Sequence, residues 1–260
     1  MTIVQRSSRA CLLALFLALC TRHAAAQSEP CVGGVLSRHP APAAPLQDDR
    51  PLDGTSRYFL TVQQPRDSAP RALGTMTVIQ STSRCGTNDV VRRVIVYDYG
   101  TAGRVIDTTM AIALTLAPIR ERTHKKSGDI VLDFDGGVVR GRITKSGAPR
   151  AIHDSLAAPA FNSTDLDLVV RSLALRRGMS TVVQIYDPEF GGFRPDSIRV
   201  MELEPARLAG AEASWVVRSR DRRLESTYRI SEHSRKLLSA DIRADTTRYR
   251  LERSTSGAPH

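Results

Sequence analysis

The sequence predicts a mainly β protein: a curved antiparallel sheet or open β-barrel wrapped around one central α-helix at about residues 163–176. Runs in which apolar and polar residues alternate with period two recur throughout residues 57–253. Turn signals such as Asp135-Gly136-Gly137 separate these runs, as they do in β-hairpins. One segment breaks the β pattern and spaces its apolar residues as a helix does, which is why one helix is expected.

The clearest strand lies at residues 104–118. Its even-numbered positions carry mostly large apolar side chains, whereas odd-numbered ones such as Asp107 and Thr109 are small or polar. Strict alternation of this kind is typical of a half-buried antiparallel strand. We therefore expect the apolar side chains Met110, Ile112 and Leu114 to face the interior.

Shorter runs of the same kind predict further strands. They lie at residues 58–62, 73–80, 91–99, 130–134, 138–144, 181–186, 198–203, 214–218, 226–230, 237–243 and 247–251. The dense basic run at 120–126 is expected at a strand end or in a hairpin loop.

The helix is predicted from its start signal and its periodicity. Residues 162–165 (Asn-Ser-Thr-Asp) are types that cap helix N-termini, and Gly178 follows two arginines at the expected C-terminal end. The apolar residues at helical spacing are Leu166, Val169, Val170 and Leu173.

The N-terminus reads as a secretory signal peptide. Arg6 and Arg9 precede a ten-residue apolar core at 11–20, and three alanines at 24–26 suit cleavage before Gln27. Residues 27–56 are then a Pro/Ala-rich disordered linker, 57–253 one β-rich domain and 254–260 a disordered tail. The chain is expected in the periplasm or cell envelope of a bacterium.

Residues 17–20 have the outline of a lipobox, in which Cys20 would be acylated. A lipobox requires a small residue before the cysteine, and Leu19 stands there. A translocated protein without a lipid anchor is therefore expected.

The charge balance is basic. Loss of Arg6, Arg9 and Arg22 with the signal lowers the formal net charge from +10 to +7. A basic chain suits nucleic acid, anionic polymer or anionic lipid headgroups, and export makes nucleic acid an improbable partner. The arginines are scattered through alternating runs, which favours solvated strand faces, with peripheral association with the envelope as the functional alternative.

Two cysteines, Cys31 and Cys85, remain after the signal is removed. They are candidates for a disulfide in an oxidising compartment, and the sequence leaves open whether they pair.

Signatures of catalysis and of metal binding are not found. The chain has no G-x-S-x-G motif, and the neighbours His153-Asp154-Ser155 read as a loop because adjacent residues do not converge on one substrate. The histidines are isolated, so no metal site and no cofactor are expected. The prediction is a protein that is not an enzyme.

The remaining candidate site is the apolar interior between the long strand and the helix. Its residues are Met110, Ile112, Leu114, Leu166, Val169, Val170 and Leu173. These side chains either fill a core, which is the default, or leave a cavity for an apolar ligand.

The order of features resembles a bacterial envelope family known only as a domain of unknown function, itself similar in fold to lipoprotein carriers and receptors of the LolA/LolB type. The resemblance rests on residues 132–141 (LDFDGGVVRG), 159–163 (PAFNS), 173–178 (LALRRG) and 185–188 (IYDP), and on the closing strands from 228 to 238. It implies an unclosed barrel around a helix, without known catalysis, and it supplies no site residues.

These observations together predict an exported, non-enzymatic envelope protein that binds or carries an apolar or lipid ligand in a half-barrel. The first alternative is a scaffold or interaction protein whose basic surface binds anionic polymer or lipid headgroups. The second is a hydrolase whose site would bring His153 or His124 against a Ser or Asp. Ligand identity and oligomeric state stay open.

Overall fold

The computed structural model describes residues 42, 44, 46–47, 53–190, 192–206 and 212–254 of the 260-residue chain. The predicted signal peptide, the lipobox and Cys31 lie outside the described residues, as do most of the predicted linker and all of the predicted tail except Ser254. The predictions about them therefore stay predictions.

Within the described residues the chain forms fifteen strands and one short α-helix. The strands are β1 (Gly54–Gln63), β2 (Arg71–Cys85), β3 (Asn88–Asp98), β4 (Arg104–Ile112), β5 (Pro118–Lys125), β6 (Gly128–Asp135), β7 (Val138–Lys145), β8 (Ala148–Ser155), β9 (Phe161–Asn162), β10 (Ser180–Asp187), β11 (Gly192–Glu204), β12 (Ser214–Arg220), β13 (Leu224–Ser231), β14 (Leu237–Ala244) and β15 (Thr247–Arg253). A 3₁₀ turn (Ser163–Asp165) leads directly into helix α1 (Leu166–Ser172).

All fifteen strands belong to one curved, open sheet. Its order is β8-β7-β6-β5-β4-β3-β2-β1-β15-β14-β13-β12-β11-β10-β9. Neighbours are antiparallel except β9 and β10, which run parallel. The sheet therefore consists of two meanders, β1–β8 and β10–β15, joined where the first strand pairs with the last. The predicted fold class, mainly β with a curved antiparallel sheet around a helix, is confirmed.

The hairpin between β6 and β7 forms where the turn signal predicts it. Gly136 and Gly137 both have positive φ, at 57° and 96°. A two-residue loop with two positive φ values matches the twist of the strands that it joins, and glycine adopts it without steric cost. The next hairpin, through Ser146 and Gly147, uses the same conformation.

Two glycines are required where β6 and β7 approach each other closely. A Cβ atom on Gly141 would lie 1.9 Å from the Val131 carbonyl oxygen, and one on Gly128 would lie 1.8 Å from that of Thr144. Because these neighbours are backbone atoms, no side-chain rotation relieves the clash.

The predicted strand at 104–118 is in fact two elements. Strand β4 ends at Ile112, the chain turns, and β5 returns from Pro118. The basic run at 120–126 therefore covers most of β5 and reaches the end of that strand. Leu116 takes the left-handed conformation in this turn, at φ 55°, and its backbone N–H donates to the Ile112 carbonyl. Residues 113–117 contain no Gly, Pro or Asn, which explains the overlong prediction.

The helix begins as predicted but ends earlier. Leu173 is extended, and it forms an isolated antiparallel bridge with Leu46, while the Gln47 N–H donates to the Ser172 carbonyl. A tertiary contact therefore ends the helix before its periodic pattern does. Leu46 lies within the predicted linker, and it packs against the main core.

We call the face of the sheet toward α1 the inner face and the opposite one the outer face. Strand β4 presents its polar side to the helix, because Asp107 and Thr109 are buried whereas Ile106 is 37% exposed. Thr109 Oγ1 donates to the Asp165 carboxylate at 2.8 Å, and this contact shows which side of β4 faces the helix. The prediction that the apolar side of this strand faces the interior is wrong.

The main core surrounds α1 on the inner face. Leu168, Val169 and Val170 of the helix pack there against strand residues such as Ile95 and Ile230. A second cluster joins β6–β8 to β10 through Tyr186, whose ring meets that of Phe134 edge to face. No helix in the described part of the chain is both long enough and apolar enough to span a membrane.

Candidate functional site

The seven side chains predicted to line an apolar interior are only partly brought together. Val169, Val170 and Leu173 have no exposed surface and are packed in the main core. Leu166 is half-buried against that core and also lines the cavity described below. On the helix, therefore, the structure fills the predicted interior with side chains.

Met110, Ile112 and Leu114 do not meet the helix. Ile112 is buried in a separate cluster with Cys85 and Val90, and Met110 packs against that cluster. Leu114 is 66% exposed in the turn between β4 and β5. Their predicted position opposite the helix is wrong because β4 turns its other side inward and ends before Leu114.

A buried arginine holds the N-terminal end of the helix instead. Arg93, on the inner face of β3, is 1% exposed. Its Nη2 donates to both carboxylate oxygens of Asp167, at 2.7 and 2.6 Å. Its Nη1 donates to the Thr164 carbonyl at 2.8 Å and to Asp165 Oδ1 at 3.3 Å. Burial alone would lower the Arg93 pKa, but attraction to Asp167 and Asp165 outweighs burial and raises it, so the guanidinium stays charged.

Asp165 is an interior group rather than a solvated charge at the first turn of the helix. It is 4% exposed and accepts from Thr109 as well as from Arg93. Burial raises its pKa, and the charge of Arg93 opposes that rise. This side chain therefore ties β3, β4 and the helix together.

Glu121 is a second buried carboxyl group, on the inner face of β5. Its Oε2 accepts from Asn162 Nδ2 at 3.0 Å and its Oε1 from Thr164 Oγ1 at 3.1 Å. Burial raises the pKa of Glu121 to about 7, with a smaller contribution from the charge of Asp107. The Glu121 carboxyl group therefore titrates near neutral pH.

Asp107 lies beside Glu121 on the same face. Its cross-strand partner is Thr123, whose hydroxyl bonds to the Asp107 carboxyl and lies 3.4 Å from Glu121 Oε1. Burial raises the Asp107 pKa. Neither Asp107 nor Glu121 has a Lys or Arg partner within ion-pair distance among the described residues, in contrast to Asp165 and Asp167.

These two carboxyl groups open into a cavity of about 320 Å³. The cavity lies between β4–β6, the 3₁₀ turn and the segment that follows β10. Its wall combines acidic, basic and apolar side chains. It is lined by Val105, Asp107, Glu121, Thr123, Lys125, Ile130, Ser163, Thr164, Leu166, Asp187, Pro188, Glu189, Phe190, Arg194 and Leu224.

Ion pairs close the sides of this cavity. Lys125 Nζ lies 2.7 Å from Glu189 Oε1, so β5 is joined to the turn after β10. On the other side, Arg194 lies between Asp187, at 3.2 Å, and Asp221, at 2.6 Å. The basic side chains that line the cavity are thus already engaged with acids other than Asp107 and Glu121.

The cavity lies near a seam of the open sheet. Strands β8 and β9 are the two edges of the sheet. Side chains connect the parts of the chain next to these two edges. Tyr186 in β10 donates to Asp154 in β8 at 2.6 Å, and Arg150 donates to the Pro188 carbonyl at 3.1 Å. We call this junction the seam.

The histidines considered for catalysis lie elsewhere. His153 and Asp154 belong to β8, not to a loop, and His153 pairs with Arg140 on the outer face. His124 Nδ1 lies 2.7 Å from Asp129, and its side chain is 76% exposed. No His, Ser or Cys side chain of the described residues meets Asp107 or Glu121 by hydrogen bond.

Within the described ranges, no group of three or more His, Cys, Asp or Glu side chains is arranged to hold a metal ion. Cys85 is buried at the end of β2, and pairing with Cys31 stays a prediction because Cys31 is outside the described residues.

Sequence reasoning missed Arg93, Asp107 and Glu121. Arg93 had a signal, because it occupies the inward register between Val91 and Ile95 in a strongly apolar strand. A charged residue at such a position requires a buried partner. Nothing in the local sequence around Glu121 distinguishes it from the solvated charges on either side.

Comparison with known proteins assigns the chain to a family without assigning it an activity. The family profile described as "Protein of unknown function (DUF3108)" matches residues 72–253, which is most of the sheet. Searches of curated proteins and of solved structures found no match. The chain belongs to the DUF3108 family.

Proposed function

We propose that the chain is an exported, non-enzymatic envelope protein that binds a small amphipathic ligand in the cavity beside Asp107 and Glu121. The N-terminal signal pattern supports export. The volume of about 320 Å³ lies at the lower end of the range that small-molecule sites occupy, roughly 300–1,000 Å³.

The observation that carries this proposal is the buried pair of carboxyl groups, neither of which has a Lys or Arg within ion-pair distance among the described residues. Taking an ionised carboxylate out of water is unfavourable unless a cation or several hydrogen-bond donors compensate. A ligand with an ammonium group or with several hydrogen-bond donors would provide that compensation. The apolar side chains Leu166, Phe190 and Val105 would contact the rest of the ligand.

The geometry changes the kind of ligand expected. Val169, Val170 and Leu173 occupy the space that a long acyl chain would have needed beside the helix. A short apolar body suits the cavity better. Relationship to the LolA/LolB-type carriers is part of this proposal, supported by the curved sheet around a helix. The proposed ligand is a smaller amphiphile than the lipid that the sequence analysis expects.

Isothermal titration calorimetry with n-hexylamine and with hexanoate tests the proposal. The two probes share an apolar chain and carry opposite charges. We expect n-hexylamine to bind and hexanoate to bind at least tenfold more weakly, and Asp107→Asn and Glu121→Gln to weaken the binding of hexylamine. The control Asp133→Asn removes one acidic charge from the outer face and should leave binding unchanged. Equal binding of both probes, or hexylamine binding that survives both cavity variants, would contradict the proposal.

A further inference from the structure

The outer face of the first meander carries a block of exposed or partly exposed arginines that the cavity does not use. The arginine block comprises Arg92, Arg120, Arg122, Arg140 and Arg142 of strands β3, β5 and β7. Arg120 and Arg140 lie on either side of Asp133 across β6. Arg122 and Arg142 flank the next outward residue of β6 in the same way. Strands two positions apart are separated by about 10 Å, so these four side chains share one patch.

Positive charge is in excess on this patch. Two acidic side chains of β6, Asp133 and Asp135, lie among these five arginines, and Asp133 is bound by Arg120 at 2.7 Å. Arg140 lies 3.7 Å from Asp135, the last residue of β6. Arg92 and Arg142 form no ion pair with any residue that the structure describes. A face of this kind attracts anionic groups.

Exposed apolar side chains adjoin the arginine block. Ile79 is 45% exposed and pairs with Val94, which is two residues from Arg92 on the same face of β3. Ile106 is 37% exposed and pairs with Val96. We call these four residues the apolar patch. The exposure of Ile106 is the reverse of what the alternation at 104–118 predicts, because this residue lies on the outer face of the sheet.

The outer face of the second meander provides a contrast. Several of its arginines are neutralised by adjacent acids, including Arg229 by Glu204 and Arg248 by Asp241. Carboxylates therefore lie among the arginines of this face, which also carries the exposed Val182.

We propose that the arginine block and the apolar patch form a docking face for an anionic phospholipid bilayer. The guanidinium groups bind lipid phosphates, for which their planar donors are suited. The aliphatic side chains contact the boundary between headgroups and acyl chains, as in other proteins that lie on a bilayer surface. A soluble polyanion would use the arginines alone and would leave the apolar patch in water, which is why a bilayer is the better match.

Flotation of the purified protein with vesicles tests this proposal. We expect binding to vesicles that contain phosphatidylglycerol and little binding to vesicles of phosphatidylcholine alone, and we expect binding to weaken as salt is raised. The variant Arg92→Gln/Arg142→Gln removes two charges without breaking a salt bridge of the described residues. At roughly fivefold per basic residue near the surface, it should weaken binding by roughly 25-fold.

The second meander supplies a matched control. Arg199→Gln/Arg243→Gln removes two outer-face arginines that also form no ion pair within the described residues, and it should bind like the original protein. Ile79→Ser/Ile106→Ser should weaken vesicle binding while the salt dependence remains. Thermal unfolding followed by circular dichroism checks that each variant is folded.

Three outcomes would overturn the proposal. The first is equal binding to both vesicle types, and the second is equal loss of binding in the control and the Arg92/Arg142 variant, which would indicate diffuse charge. The third is unchanged vesicle binding in Ile79→Ser/Ile106→Ser together with equally salt-sensitive binding to heparin, which would indicate a polyanion site. Failure of hexylamine to bind would contradict the proposed ligand site in the cavity and would not contradict the proposed docking face.

Discussion

At the scale of single residues, Arg93 decides how the interior is held together. A fully buried guanidinium requires compensation, and Asp165, Asp167 and the Thr164 carbonyl provide it from one short segment. This group of contacts links β3 to the start of the helix. Removal of one member of a buried ion pair leaves the other charge buried without compensation. The resulting loss of stability is larger than the net stabilisation that the intact pair provides.

We therefore expect Arg93→Met to lower the free energy of unfolding by about 3–5 kcal/mol. Urea unfolding, followed by the fluorescence of Trp215, measures it. The triple variant Arg93→Met/Asp165→Asn/Asp167→Asn removes both acidic partners of Arg93 as well and should recover part of the loss. A single variant as stable as the original protein would show that the ion pairs do not hold the helix.

The raised pKa of Glu121 predicts that the free energy of unfolding depends on pH. Its pKa is raised to about 7 in the folded protein, so the folded state binds a proton more tightly than the unfolded state does. Stability is therefore highest below the unfolded pKa of about 4.5 and falls as pH rises toward 7. Asp107, with a raised pKa, contributes in the same direction.

Glu121→Gln should make stability less dependent on pH. The amide is neutral throughout, and the hydroxyls of Thr164 and Thr123 can accept from its N–H groups as they would from a protonated carboxyl. Urea unfolding at pH 4.5 and at pH 7.5 should show the variant gaining roughly 2–4 kcal/mol relative to the original protein between the two values. Parallel pH profiles would contradict the buried position of Glu121.

At the scale of elements, β4 shows what periodicity can and cannot decide. Alternation correctly identifies a strand at 104–112, but the pattern is the same whichever side faces inward. Contacts distant in sequence decide which side faces inward, since Thr109 and Arg93 both donate hydrogen bonds to Asp165. The outward side, with Ile106, is then left exposed.

Two substitutions in β4 separate the two orientations. Thr109→Val keeps the shape of the side chain and removes a buried donor to Asp165, so we expect a loss of about 1–3 kcal/mol in unfolding free energy. Ile106→Thr should change stability by only about 0.5 kcal/mol. Urea unfolding of both proteins measures the difference. A larger loss for Ile106→Thr would restore the orientation that the alternation first suggested.

The same distinction explains how much of the molecule the sequence predicts. The hairpin at Gly136-Gly137 is a local feature, so its strands and turn are predicted correctly. The turn at Leu116 depends on a backbone conformation that no residue type signals, and the end of the helix at Ser172 depends on the distant Leu46. The sequence therefore predicts neither of them. The cavity joins β4 and β5 to the 3₁₀ turn and to the segment after β10, so the sequence does not show that Asp107 and Glu121 meet.

At the scale of the whole molecule, the two meanders are joined in two different ways. Backbone hydrogen bonds between β1 and β15 join them on one side. On the other side they meet at the seam, where side-chain contacts such as Tyr186–Asp154 and Lys125–Glu189 connect them. The cavity lies beside the seam, and the arginine block lies on the outer face of the first meander. Ligand binding and membrane docking would thus use opposite faces of that meander.

Native mass spectrometry of the protein purified from its own envelope tests the central claim, ligand binding beside Asp107 and Glu121, most directly. The original protein should carry a small bound molecule, and extraction should identify a cation or a compound with several hydrogen-bond donors on a short apolar body. The variant Asp107→Asn/Glu121→Gln, prepared in the same way, should lose that molecule. A clean apo mass for the original protein, or the same bound molecule on the variant, would contradict the claim.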